Sequence, residues 1–145
     1  MAVHSPGYVA ATDEQAREEA WPHYAAMMNR IGKERGWPPV RREQFEATAG
    51  PDGALFVGSP ETVARKIVTV ATGLGLARFD LKYSLGTLPH EQLLTSIRLY
   101  ATEVAPLVRA RLGAPAHDGM DTVPAGSGRS GTRAGTGMTP APQRP

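Results

Sequence analysis

The sequence predicts an α/β protein assembled from strand–helix units of a parallel sheet. The first observation behind this is order: strand, helix, short helix, strand, helix, strand, helix. The second is periodicity, with apolar residues alternating in the short segments and recurring every three or four residues in the long ones. Composition sets the limits. The chain has 145 residues, of which 16 are glycine and 13 proline, and these crowd the end. From Gly113 to Pro145 there is no aromatic residue, no Ile or Leu and no apolar period. Such a stretch buries too little surface to offset its ordering entropy, so it is expected to be a disordered tail. Residues 1–112 are left to form one modest core. A barrel of eight βα units needs about 250 residues. The chain is therefore either a small α/β module or a piece of something larger.

The opening AVHSPGYVA is extended but interrupted by Pro6 and Gly7, which predicts a short strand ending in a loop. Thr12 and Gln15 form a T-x-x-Q capping box ahead of an amphipathic helix. Ala16, Ala20, Tyr24, Met27, Met28 and Ile31 make its apolar stripe, and Gly36 closes it. Pro22 lies inside and is expected to kink or break it. The turn-rich stretch from Trp37 to Asp52 has room for one short helix near Arg42 to Ala47. Ala54 to Val57 is a strand candidate. Ser59 then suits an N-cap, Pro60 the first helical position, and Glu61 the positive helix end. Val63, Ile67, Val70, Ala71 and Leu74 form the stripe of this second long helix, ended by Gly73 or Gly75. Arg78 to Tyr83 alternates as a strand, with Phe79, Leu81 and Tyr83 on one face. After the loop SLGTLPHE, Leu93, Leu94, Ile97, Tyr100, Ala101, Val104, Leu107 and Val108 predict one closing helix, ended by Gly113.

Several functional classes drop out. Without cysteine there is no disulfide scaffold, thiolate metal site, iron–sulfur ligation or cysteine nucleophile. No apolar run approaches the roughly 20 residues of a membrane span, and Met1 opens no signal peptide, so a cytoplasmic protein is expected. A net charge of +2 is too mild to imply nucleic acid. The basic group Arg30, Lys33, Arg35, Arg41 and Arg42 lies near the end of a helix that begins with Asp13, Glu14, Glu18 and Glu19. This is the usual complement to a helix dipole. There is no G-x-S-x-G elbow and no H-E-x-x-H pair, and the GLG at Gly73 to Gly75 ends a helix where a dinucleotide fingerprint would open one. His4, His23, His90 and His117 are scattered, so no metal site is expected. Glu14 and Glu18 share a helix face but stand where acids serve the dipole.

Four segments together carry a resemblance. They are Gly58-Ser59-Pro60-Glu61, Phe79-Asp80-Leu81, the loop Gly86 to Glu91, and Glu103-Val104-Ala105-Pro106. In this order and spacing they resemble the carboxy-terminal end of the bacterial luciferase-like flavin-dependent monooxygenases. VHSPGYVA followed by TDEQAREEAWPHY is similar to the seventh strand and helix of one branch of that family. The resemblance runs from about Val3 to Arg109. It implies a (β/α)₈ TIM barrel of which this chain holds only the seventh and eighth βα units. It also implies an enzyme using reduced flavin (FMN, or a deazaflavin in some relatives) and dioxygen to oxygenate a small organic substrate. Because Met1 falls directly before a core strand, the expected origin is a truncated gene, a misplaced start codon or one half of a split protein, inactive alone.

In such a barrel, function sits at the carboxy-terminal ends of the strands. Two places qualify. His4 and Ser5, with Gly7, follow the strand AVH and are expected to contact substrate or the flavin ring. Lys82, Ser84 and Gly86 follow RFDLKY and are expected to bind the cofactor, Lys82 and Ser84 as donors and Gly86 by close backbone approach. The ordinary alternative for His4 and Tyr83 is a satisfied residue at a strand end. The competing function is a non-catalytic α/β module whose apolar surface binds a partner chain or self-associates.

Overall fold

A computed structural model of the chain describes residues 1–113. The tail expected from Gly113 onward lies outside the described residues, apart from Gly113 itself. Three strands form one parallel sheet, β1 (Ala2–Val9), β2 (Phe56–Gly58) and β3 (Arg78–Lys82), in the order β2-β1-β3. The helices are α1 (Asp13–Arg35), α2 (Arg42–Ala49), α3 (Pro60–Leu74), α4 (His90–Leu99) and α5 (Ala105–Leu112). A π-helical turn, Tyr100–Val104, joins the last two.

The first strand does not stop at Pro6 and Gly7. It runs on to Val9 because β1 changes partner at that point. Ala2 to Pro6 pair with Arg78 to Lys82 of β3, and Gly7 to Val9 pair with Phe56 to Gly58 of β2. The missing N–H of Pro6 thus falls where one ladder ends and the other begins. Gly7 is required there for space. A Cβ on it would collide with the Leu81 side chain and stand 2.5 Å from the Phe56 carbonyl oxygen. The second strand lies at 56–58, two residues later than expected at its start.

Side chains alternate across the sheet and feed two cores. On one side Tyr8 and Val57 pack with Ala16 and Ala20 of α1, Phe45 and Ala49 of α2, and Leu85 of the loop after β3. On the other, Val9 and Phe56 meet Val63, Ala64 and Ile67 of α3 with Leu99 and Val104. Phe79 and Leu81 point to this second side, and the Phe79 ring lies 4.8 Å from that of Phe56. Among the described residues the first side is covered where β1 pairs with β2. Along the ladder of β1 with β3, Ala2, His4, Arg78 and Lys82 are exposed.

The helix caps are local, though at Thr12 only half of the expected capping box forms, the Gln15 side chain turning to Glu19. Thr12 Oγ1 accepts the Gln15 N–H at 3.1 Å, and Ser59 Oγ accepts that of Thr62 at 3.4 Å. Gly36 and Gly75 end their helices in the left-handed region, at φ of 69° and 60°. Pro22, however, does not break α1, which is continuous over 23 residues. A proline in a helix interior costs about 3 kcal/mol. Packing on both sides holds the helix together: Ala16 and Ala20 are fully buried before it, and the Trp21 and Tyr24 rings lie 5.4 and 5.2 Å from Phe45.

The closing helix departs most from its pattern. Pro106 has no N–H for the Thr102 carbonyl, and the wider π turn lies directly before it. The extra residue shifts the helical phase. Leu94 and Ile97, expected in the stripe, are 48% and 37% exposed, whereas Ser96 is 1% exposed. Ser96 Oγ accepts the Val9 N–H at 2.9 Å, so α4 satisfies the end of β1 where no strand does. Leu74 likewise falls outside the core at 54% exposed.

Candidate functional site

The carboxy-terminal end of the sheet is shaped by α1, α3 and the loop after β3. Asp13, the first residue of α1, reaches across to the start of α3. Its carboxylate accepts the Ser59 N–H at 2.7 Å and the Thr62 hydroxyl at 2.9 Å. Burial alone would raise the Asp13 carboxyl, but the hydrogen bonds from Ser59 and Thr62, with the Arg17 charge, hold it below the usual carboxylate value. A group whose folded pKa is depressed stabilises the fold fully above its unfolded value and loses that contribution as pH falls through the folded one. Asp13→Ala is therefore expected to cost about 1 kcal/mol at neutral pH. It should also flatten the acid limb of a thermal-melting series below pH 4, where the wild type loses this contribution and the variant has none to lose. An unchanged acid limb would show that the bridge carries no stability.

Beneath this bridge Tyr8 donates to Glu19 Oε2 at 2.5 Å, and Gln15 Nε2 donates to Glu19 Oε1 at 2.8 Å. Burial, reinforced by the Glu19 carboxylate, pushes the Tyr8 hydroxyl far up. It is a fixed donor. Lys66 of α3 is 7% exposed and donates to the carbonyls of Gly50 and Leu55 at 2.6 and 2.7 Å, closing the turn before β2. Sequence reasoning passed over Lys66, Ser96 and the Tyr8–Glu19 pair. For Lys66 the signal existed: it stands three residues after Val63 and four before Val70, on the apolar stripe itself.

Of the expected site residues, His4 and Ser5 are not at a strand end. They lie in the middle of β1, opposite Asp80 and Leu81, and their side chains point to opposite faces. The expectation placed the end of the strand too early, because the partner change at Pro6 was invisible. Lys82 is the last residue of β3 and shares its face with His4 and Asp80. Ser84 and Gly86 lie beyond it in the loop, as expected. Gly86 has φ of 63°, and a Cβ on it would stand 3.3 Å from Met27 Cβ and 3.4 Å from the His23 carbonyl. Its close approach is thus to α1. The same loop is pinned by Thr87 Oγ1 and His23 Nδ1 at 2.9 Å.

The basic group divides. Lys33 and Arg35 lie in the last turn of α1, as a helix dipole favours. Arg42 instead bonds Glu18 at 2.6 Å and Glu46 at 2.7 Å and lies over the Trp21 and Phe45 rings. Among the described residues no three His, Asp or Glu side chains are placed to hold a metal ion, and His117 lies outside them. Nor is any helix among them long and apolar enough to cross a membrane.

An apolar cleft of about 290 Å³ lies beside β3, lined by Phe79, Leu81, Tyr83, Ser96, Ile97 and Tyr100. It is on the helix-covered side of the sheet, while His4 and Lys82 face the bare side. A flavin needs a flat wall, donors at its polar edge and donors for its phosphate in one place. The described residues do not bring these together, so they do not fit a complete flavin site.

No family model and no curated protein matches the chain. Among solved structures, the chain is similar to the crystal structure of monooxygenase RslO1 from Streptomyces bottropensis, at 21% identity and a TM-score of 0.55. The match covers 72% of this chain but 30% of that one. The likeness is one of fold. This chain spans less than a third of the length of its structural neighbour.

Proposed function

We propose that the chain forms the seventh and eighth βα units of a luciferase-like, flavin-dependent monooxygenase barrel, a cytoplasmic enzyme acting on a small organic substrate. One observation carries the reading. β1 and β3 are direct parallel neighbours with α3, α4 and α5 on one face, while among the described residues the opposite face around His4, Asp80 and Lys82 has no helix over it. Consecutive strands of a (β/α)₈ barrel have this arrangement, helices outside and strand side chains turned inward. The short β2, which pairs on the far side of β1, is then an accessory strand at the barrel mouth and not one of the eight. A match to 30% of a monooxygenase supports the same reading, since two of eight units make up a similar share.

In a complete barrel the class would use reduced FMN, or a deazaflavin, with dioxygen. The residues of this chain would contribute one wall, with His4 towards substrate and Lys82 and Ser84 towards the cofactor. Alone they assemble no site, so the 145-residue chain is not a catalyst by itself. Reading the coding sequence upstream of Met1, and weighing the product purified from its native source, tests the proposal. The expected result is a polypeptide or tight complex carrying six further βα units and flavin absorbance. A free product of 15.4 kDa without flavin would overturn it.

A further inference from the structure

We infer that the free edge of β3 is a self-pairing surface, through which two copies of this chain join their sheets antiparallel about a two-fold axis at Leu81. In a complete barrel this edge would pair with another strand; in the 145-residue chain by itself β3 has a free edge among the described residues, and self-pairing is what its sequence favours there. Among the described residues β3 is an edge strand, paired with β1 on one side only. Beside it lies the apolar cleft, with Tyr83 and Ile97 of its lining exposed, and Leu94 of α4 is exposed as well. Unpaired backbone donors and acceptors next to exposed apolar side chains recruit a strand.

Charge decides which strand. In an antiparallel pair centred on Leu81, Asp80 lies opposite the partner's Lys82, and Lys82 opposite the partner's Asp80. Phe79 then meets the partner's Tyr83 on the helix-covered face, twice, with Leu81 against its own copy between them. Opposite charges and aromatic pairs directly across a ladder are both stabilising. Neighbouring registers are worse. Centring on Asp80 sets Asp80 against Asp80 and Arg78 against Lys82, and centring on Lys82 sets two ammonium groups face to face. A slip of one residue exchanges the faces of the strand. In the favoured register the Arg78 guanidinium, 2.9 Å from Asp80 within its own chain, adds a further cation to the acidic side of each pair. The two-fold also brings Leu94 and Ile97 of both α4 helices to the same side of a continuous sheet of six strands.

The test is light scattering coupled to gel filtration of the full 145-residue chain across a concentration series. The expected mass is twice 15.4 kDa. Lys82→Asp and Asp80→Lys should each weaken the dimer about tenfold, and the double swap Asp80→Lys/Lys82→Asp should restore it. Because the chain has no cysteine, Leu81→Cys should form a disulfide-linked dimer on oxidation, whereas Asp80→Cys, displaced from its own copy, should not. A monomer at every concentration would overturn the proposal. So would a dimer indifferent to both charge reversals, open-ended aggregation, or a dimer that forms only with an added strand-bearing protein. No flavin is present, so the outcome is separate from that of the enzyme reading.

Discussion

Replacing Lys66 by methionine is expected to destabilise the fold by about 2 kcal/mol. The ammonium group serves two carbonyls, those of Gly50 and Leu55, from within the core, and lies 4.9 Å from the centre of the Phe56 ring. Methionine keeps the volume of the stem but donates nothing. Gly50 O retains the Gly53 N–H at 3.1 Å, so the greater loss falls on Leu55. Removal of a buried charge offsets part of this cost, which keeps the figure below that of a broken buried ion pair.

The pH dependence gives the same residue a second signature. Burial pulls the Lys66 ammonium down to about 8, with Arg17 adding to the fall and Asp52 opposing it. Between that value and the usual 10.5 the unfolded chain holds more protons than the folded one, so stability rises with pH across this window. Tyr8, Tyr24 and Tyr100 have raised values, and their contribution is lost only as pH climbs beyond the ordinary tyrosine range. Melting between pH 7 and pH about 9.5 therefore isolates the lysine. The wild type should gain stability over that range relative to Lys66→Met. Parallel curves would mean that Lys66 is solvated.

Gly7→Ala is expected to have an effect of similar size, about 2 to 3 kcal/mol in denaturant unfolding. The added methyl group meets the Leu81 side chain from β3 and the Phe56 carbonyl from β2. Leu81 can rotate away, but the carbonyl belongs to the short ladder with β1 and can yield only if β2 moves. Since β2 supplies Phe56 and Val57 to the two cores, its displacement reaches both faces of the sheet. A loss under about 0.5 kcal/mol would mean that the two ladders do not converge on Gly7.

The contrast between Gly7 and Ser59 explains how far the sequence could be read. Ser59, Thr12, Gly36 and Gly75 act within one turn of chain, and each was legible because capping is local chemistry. The passage of β1 through Pro6 and Gly7 depends on Lys82 and Phe56, far along the chain, and nothing near Pro6 announces them. That one non-local event moved His4 and Ser5 from an expected strand end into a strand interior. The π turn had the same effect on α4: a single extra residue exchanged Ile97 for Ser96 as the buried side chain. Lys66 was visible on its stripe but easily misread. A lysine on an apolar stripe usually extends its amine to water, and here two carbonyls stand in for that water. Lys82, Ser84 and Gly86 lie at and beyond the end of β3, but the direction in which Gly86 packs was not readable.

On the proposed reading these βα units form one wall of a flavin-binding barrel and hold no complete site themselves. Titrating the purified 145-residue chain with FMN and following flavin fluorescence tests it most directly. No saturable quenching in the submicromolar range is expected, because the apolar cleft beside β3 and the polar residues His4 and Lys82 lie on opposite faces of the sheet. Saturable submicromolar binding at one flavin per chain would contradict it.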